Sequence, residues 1–344
     1  FFQLKKHFVT ALVLIFTLTL TLAGCTSSAN TNSKSEVASQ EATNTEKVFK
    51  IGISQFVEHP ALDGARQGFI DGLKEAGYEE GKNIEIIFEN AQADFPTTQT
   101  IANNLVSEDV DLILTIATPS AQSAANATKD IPILITAVTD PVEAGLAKSL
   151  EKPGTNVTGT TDMNPVKEQI ELLKEILPEA ENIGIIYNAA EPNSVIQVNI
   201  AKESAEALGL KVYEATVANS SEVNQAMQSL VGKVDAIYTP TDNTVASAIS
   251  AIVKVANDAN TPVIGAERGH VEGGALASLG IDYYLLGKQT GLVASRVLKG
   301  ENPADIPIEG SKDLKLIINK KSAELLSLEI PEPVLSRADE IIEK

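Results

Sequence analysis

Two segments set a Thr-Pro pair beside short polar side chains: Thr118-Pro119-Ser120 and Thr239-Pro240-Thr241-Asp242. In the first, Thr118 can cap a helix that begins at Pro119, which leaves backbone N–H groups free at its start. Such a helix start takes a carboxylate readily, and capping and anion binding are compatible roles for Thr118 and Ser120. In the second, Asp242 changes the chemistry. It either caps a helix or receives an ammonium, and it would oppose an anion. Glu191 and Asp282 are further candidates for a cation, each also readable as a surface or hinge residue. The layout suggests a zwitterion, its carboxylate toward the first segment and its ammonium toward the acids. Phe56, Tyr187, Tyr238 and Tyr283 stand at or near element ends in a chain that is only 4% aromatic. Phe56 is the residue expected to stack on a flat apolar group, whereas Tyr187 and Tyr238 read as core. His59, just before Pro60, either bonds a ligand or caps the next helix.

Other chemistries find little to work with. No Gly-x-Ser-x-Gly elbow occurs and no Gly-x-Gly-x-x-Gly follows the first expected strand, so an enzyme is not expected. One cysteine, Cys25, and three widely spaced histidines leave no basis for a zinc site or an internal disulfide, and no cofactor is implied. A formal charge of −19 would be repelled by a phosphate backbone, which speaks against nucleic acid.

These residues must be positioned by something. At 344 residues the chain suits two lobes, and from residue 48 short β-branched runs alternate with helical patterns. Strands are expected at 49–54, 83–89, 111–116 and 131–137, with helices at 61–76, 97–107 and 120–128. The order then recurs: strands at 182–187, 211–216, 235–238 and 262–265, helices at 195–208, 222–231 and 245–256. The stretch from Val110 and the one from Val234 agree element for element, each with Val-Asp opening a strand and a Thr-Pro turn into a helix. A helix at 283–298 and a strand at 313–318 follow, and crossings between lobes are expected near 158–162, 280–284 and 305–312. The fold class is therefore α/β, two Rossmann-like lobes with parallel sheets. Ligands in such sheets bind beyond the carboxyl ends of the strands. The loops there hold Gln55, Thr139, Asp140, Asn188, Glu191, Asn193, Ser194, Thr241, Asp242 and Glu267.

The amino terminus reads as an address. Lys5 and Lys6 precede a 15-residue run, Phe8 to Leu22, apolar apart from threonines. That is short for a membrane span of about 20 residues and suits a secretory signal. Leu22-Ala23-Gly24-Cys25 resembles the lipobox of bacterial lipoproteins, which implies a lipid on Cys25 and cleavage before it. Residues 26–47 are rich in Ser, Thr, Asn, Ala and Glu and cannot bury enough surface to order themselves. They are expected to form a tether spanning roughly 25 Å.

The motifs KIGISQFVEHPALDGARQGFIDGLKEAGY, ATPSAQ, AVTDPVEAGL, GTNVTGTTD, IYNAAEPNS, TPTDNTV and GIDYYLLG follow one another in order. Together they resemble the substrate-binding proteins of ABC transporters, in particular the TrpX-like group with tryptophan- and tyrosine-binding members. The resemblance covers residues 48–344. It implies a type I periplasmic-binding fold with a three-crossing hinge, an amino acid as ligand (plausibly aromatic), and a membrane permease as partner. It carries contacts onto Gln55, Thr118, Ser120, Thr139, Asp140, Asn188, Glu191, Asn193, Ser194, Thr241, Asp242, Glu267 and Asp282. The expected divisions are a leader (1–24), Cys25 with its tether (25–47), a first lobe (48–160 and about 283–306) and a second (161–282 and about 307–344). A monomer is expected, exported and anchored to the cell membrane facing outward. A receptor presenting its ligand to a sensor, or a binder of another small solute, is the alternative reading.

Overall fold

The β-branched runs form strands and the amphipathic stretches between them form helices. In the computed structural model, residues 47–311 and 313–343 are described; the expected leader, Cys25 and the tether up to residue 46 lie outside them. The first half supplies β1 (Phe49–Gln55), β2 (Ile84–Asn90), β3 (Leu112–Ile116), β4 (Ile133–Val138) and β5 (Val157–Thr161). Helices α1 (Pro60–Glu75), α2 (Phe95–Ser107) and α3 (Thr118–Ala127) connect the first four strands. After α4 (Val166–Ile176), the second half supplies β6 (Asn182–Asn188), β7 (Lys211–Val217), β8 (Ala236–Thr239), β9 (Val263–Gly265) and β10 (Ala277–Ile281). Its connections are α5 (Pro192–Ala207), α6 (Val223–Leu230), α7 (Asn243–Ser247), α8 (Ile249–Asp258) and α9 (Arg268–Glu272). The chain ends through α10 (Tyr283–Leu298), β11 (Glu309–Gly310), β12 (Leu314–Asn319), α11 (Lys320–Leu325), α12 (Glu332–Leu335) and β13 (Glu340–Ile342).

Two sheets result, in the orders β2-β1-β3-β4-β5-β11 and β7-β6-β8-β9-β10-β12-β13. The repeat seen in the sequence is thus a repeat of topology: each half reverses direction between its first and third strands (β1/β3 and β6/β8). Loops leaving such a reversal diverge and open a crevice at the carboxyl ends. The chain passes between sheets after Thr161, after Ile281 and after Gly310, since Glu309 and Gly310 still pair with β5. All pairings are parallel except β10 with β12, where Ile281 faces Leu314. The third passage arrives at the carboxyl end of β10, so a strand entering there must run back against its neighbour.

The structure adds elements that the pattern did not announce. β5 reads Val-Thr-Gly-Thr-Thr, without the apolar run expected of a strand covered on both faces. Its hydroxyls are satisfied internally: Thr158 Oγ1 donates to the Ile306 carbonyl at 2.9 Å, and Thr160 Oγ1 lies 2.8 Å from Thr290 Oγ1. α4 and β10 were also unassigned, and the single helix expected over 245–256 breaks at Ala248 into α7 and α8. None of the described helices is long and apolar enough to cross a membrane.

The helix that follows the second passage is bound to the first lobe by a seam of glycines. A Cβ at Gly68 would lie 2.0 Å from the Tyr284 carbonyl oxygen, and one at Gly287 would lie 1.9 Å from that of Ala65. Gly72 and Gly291 repeat the arrangement one turn on, so α1 and α10 meet backbone to backbone. Because the obstacle is main chain rather than a flexible side chain, neither helix can yield locally. Gly287→Ala should therefore destabilise the protein by at least about 2 kcal/mol, at the upper part of the overpacking range. Urea denaturation followed by circular dichroism measures this, and an unchanged midpoint would refute the seam.

Candidate ligand site between the lobes

The carboxyl ends of β6 and β8 are held by two buried carboxylates. Glu191 Oε1 accepts from the Thr244 N–H (2.9 Å) and the Thr244 hydroxyl (2.8 Å). Glu191 Oε2 accepts from the backbone N–H (3.0 Å) and side-chain amide (2.6 Å) of Asn243 and from Asn193 Nδ2 (3.2 Å). Glu191 thus caps the start of α7 from a loop some fifty residues away. Asp242 is the N-cap of that helix. Its Oδ1 accepts from Val245 N–H (2.8 Å), and its Oδ2 from Asn188 N–H (2.6 Å) and Ser194 Oγ (2.7 Å). Burial, then the nearby Glu191, push the Asp242 carboxyl well above the usual range, against the pull of those donors.

A narrow cavity of about 10 Å³, enough for a water-sized group, lies between the strand ends of the two lobes. Acids line it, Asp162, Asp242 and Glu267, with no lysine or arginine among the lining residues. Two contacts span it. His59 Nε2, from the loop before α1, lies 3.4 Å from Asn243 Oδ1. Gln197 Nε2, on α5, donates to Thr139 Oγ1 at 3.2 Å and also to Thr241 Oγ1. Thr139 in turn donates to Asp162 Oδ1 (3.2 Å), whose other oxygen accepts from the Tyr283 hydroxyl (2.6 Å). Asp162 follows the first passage and Tyr283 opens α10 after the second, so that bond ties two passages together. Burial raises the pKa of both groups, and Tyr283 stays a donor.

At one wall stands Glu267, only 2% exposed, whose Oε1 has no protein hydrogen-bond partner. His270 Nε2 lies 3.5 Å from it and His59 Nδ1 lies 3.9 Å away. The networks fix both tautomers. His270 Nδ1 accepts from the Ala266 N–H (3.2 Å), so its hydrogen sits on Nε2, on the Glu267 side of the ring but without a hydrogen bond to it. Asn243 spends its amide on Glu191 and offers His59 its oxygen, so the His59 hydrogen sits on Nε2 and Nδ1 carries a lone pair. Burial holds His59 down to about 4 and His270 down to about 3, so neither is charged at neutral pH. Burial, then Asp162 and Glu272, push Glu267 up to about 8. Asn193 Oδ1 is a third buried acceptor on the cavity without a partner. Among the described residues no cluster of His, Cys, Asp and Glu is arranged to hold a metal ion.

The family model for ABC transporter substrate-binding proteins matches residues 50–342. The chain belongs to that family. Its members are solute-binding transport proteins that work outside the cytoplasmic membrane. A tyrosine-binding protein of Clostridioides difficile is 49% identical over 308 residues, covering 90% of this chain and 88% of its own. The crystal structure of a domain from Streptococcus pneumoniae in complex with L-Trp is 42% identical, with a TM-score of 0.83, covering 86% of this chain and all of that one. A ligand-free, open substrate-binding protein with adhesive properties from Clostridium difficile is 51% identical at the same coverage, with a TM-score of 0.66.

Within this substrate-binding protein, six of the sequence candidates line the cavity: His59, Thr139, Asn193, Thr241, Asp242 and Glu267. Asn188, Glu191 and Ser194 stand behind them as buttresses. His59 occupies the N-cap position of α1 without bonding the helix, its ring turned to the other lobe instead. Phe56 corrects the expectation of ligand stacking: it is fully buried in the first core, 5.1 Å from the Phe95 ring centre. Gln55 is bound to the Val57 carbonyl, Asp63 and Arg66. Asp140 accepts from Val142 and Glu143 N–H in its own turn, and Asp282 caps α10. Tyr238 is core, bonded to Gln169, and Tyr187 is bonded to Glu214.

α3 begins one residue earlier than expected. Ala117 is its N-cap at φ 81°, so Thr118 is not the cap. The hydroxyls of Ser54, Thr118 and Ser120 are buried without partners at the carboxyl ends of β1 and β3, off the cavity wall. The sequence reading missed Asp162, Gln197, Asn243 and His270. Asp162 stood inside a quoted motif and at a predicted crossing, which was a usable signal; Gln197 sits mid-helix and gave none.

Removing the Glu191 carboxylate would strand four donors of α7 in the interior. Glu191→Ala should cost about 3 kcal/mol or more of stability, whereas Asp140→Ala, on a partly exposed turn, should cost under about 1 kcal/mol. Guanidinium denaturation of both variants checks the contrast, and equal losses would contradict it.

Proposed function

We propose that this substrate-binding protein serves an ABC importer by closing its two lobes on an aromatic amino acid, tyrosine or tryptophan, and offering the closed form to a membrane permease. The observation that carries the ligand class is the acid-lined, cation-free cavity where the two sheets point their carboxyl ends at each other. In the shut form its free volume is about 10 Å³, room for one water-sized group, so a ligand enters only when the lobes part. The relatives support the side group, through the tyrosine-binding protein and the L-Trp complex. They also support closure. The chain superposes better on the L-Trp complex than on the open protein, although the open protein is the more similar in sequence.

The mechanism is a shift of population. Contacts such as His59 with Asn243 and Thr139 with Gln197 exist only when the lobes meet. A ligand that touches both lobes favours that state by its differential affinity, and by no more. The unpartnered hydroxyls of Ser54, near the end of β1, and of Thr118 and Ser120, at the start of α3, suit the ligand's carboxylate, and the acids suit its ammonium. Lipid on Cys25, with residues 26–47 as tether, would hold the monomeric binder beside its permease.

Titration calorimetry against the common amino acids tests this reading. Tyrosine or tryptophan should bind near 1 µM, about −8 kcal/mol, and X-ray scattering should report a contraction on binding. No heat and no contraction with any amino acid would overturn it.

A further inference from the structure

We propose that the ligand's primary ammonium seats between Glu267 Oε1 of the second lobe and His59 Nδ1 of the first, and that it is the group on which the lobes shut. This deepens the reading above and rests on the protein being an amino-acid binder. The geometry is specific to a donor that carries several hydrogens. Glu267 Oε1 and His59 Nδ1 are both acceptors, both buried, both without partners, and 3.9 Å apart. With Glu267 ionised, the two acceptors cannot satisfy each other. A –NH₃⁺ group between them can donate to both, and a third hydrogen remains for Asn193 Oδ1, an unpartnered acceptor on the same cavity.

Charge points the same way. Asp63 on α1, Asp162 at the first passage, Glu191 before α5, Asp242 before α7, and Glu272 on α9 surround the group, while Tyr283 faces it as a neutral donor. The one nearby cation, Arg268, is committed at the surface to Glu272 and Glu340. Shutting the lobes on an ionised Glu267 would bury a charge without a counterpart, and such a group neutralises or keeps its water. Its raised pKa means that the closed form binds more protons than a solvated Glu267 would, from about pH 4.5 to about pH 8. Closure without a cation is thus opposed as pH rises through that window. An ammonium removes the opposition. Asp242, by contrast, has both oxygens occupied by donors of its own lobe.

The test uses wild-type protein with L-tyrosine, tyramine, 3-(4-hydroxyphenyl)propanoate and L-leucine, read by calorimetry and X-ray scattering. L-tyrosine and tyramine should contract the protein, and the desamino acid should not, binding at least about 100-fold more weakly than L-tyrosine. Glu267→Gln should weaken L-tyrosine at least about 30-fold, while the desamino acid stays the same. Contraction with the desamino acid as full as with L-tyrosine would overturn the assignment and leave the aromatic reading standing. Contraction with L-leucine but not L-tyrosine would sink the aromatic reading and support the ammonium seat.

Discussion

A carboxyl group with one unpartnered oxygen, buried where two lobes meet, sets the terms on which this molecule can shut. Glu267 sits between two imidazoles that burial keeps neutral, one presenting a hydrogen and the other a lone pair. No protein cation lines the cavity to balance it. In water such a carboxylate is well solvated; in the closed interior it needs either a proton or a positive partner. The energy that separates a shut lobe pair from an open one is therefore tied to what charge enters the gap.

The remainder of the structure keeps that pair of acceptors in register. In the second lobe, Glu191 and Asp242 spend their charge on the start of α7, which fixes Asn243 and through it the tautomer of His59. In the first lobe, the glycine seam locks α10 to α1, so the helix that follows the second passage moves with the sheet it returns to. The first half packs around one core cluster and the second around two. The Asp162–Tyr283 bond joins two of the passages at the cavity wall, next to the groups that sense charge.

The architecture was legible because duplication writes the same pattern twice, and two weak strand patterns in the same order strengthen each other. β5 was not, because its threonines bond to neighbouring elements (β4, α10 and the Thr139 and Ile306 carbonyls) and leave no apolar run to read. Glu267 and His59 were legible as strand-end and helix-start residues, but their pairing was not. It depends on how the two loops face each other across the gap, a contact across more than 200 positions that no local spacing encodes. Asp242 misled for the opposite reason. A short-range rule, an acid before a helix, identified its position correctly, and the same rule consumes its hydrogen-bonding capacity. Phe56 misled because an aromatic at a strand end also serves as a core plug; Phe95 opposite it, at the start of α2, decides the matter.

The most direct measurement is a crystal structure of the protein grown with L-tyrosine. The amino nitrogen should lie about 3 Å from both Glu267 Oε1 and His59 Nδ1, with the lobes closed around the ligand. An amino nitrogen held elsewhere, with Glu267 protonated and bonded only to protein, would contradict the account.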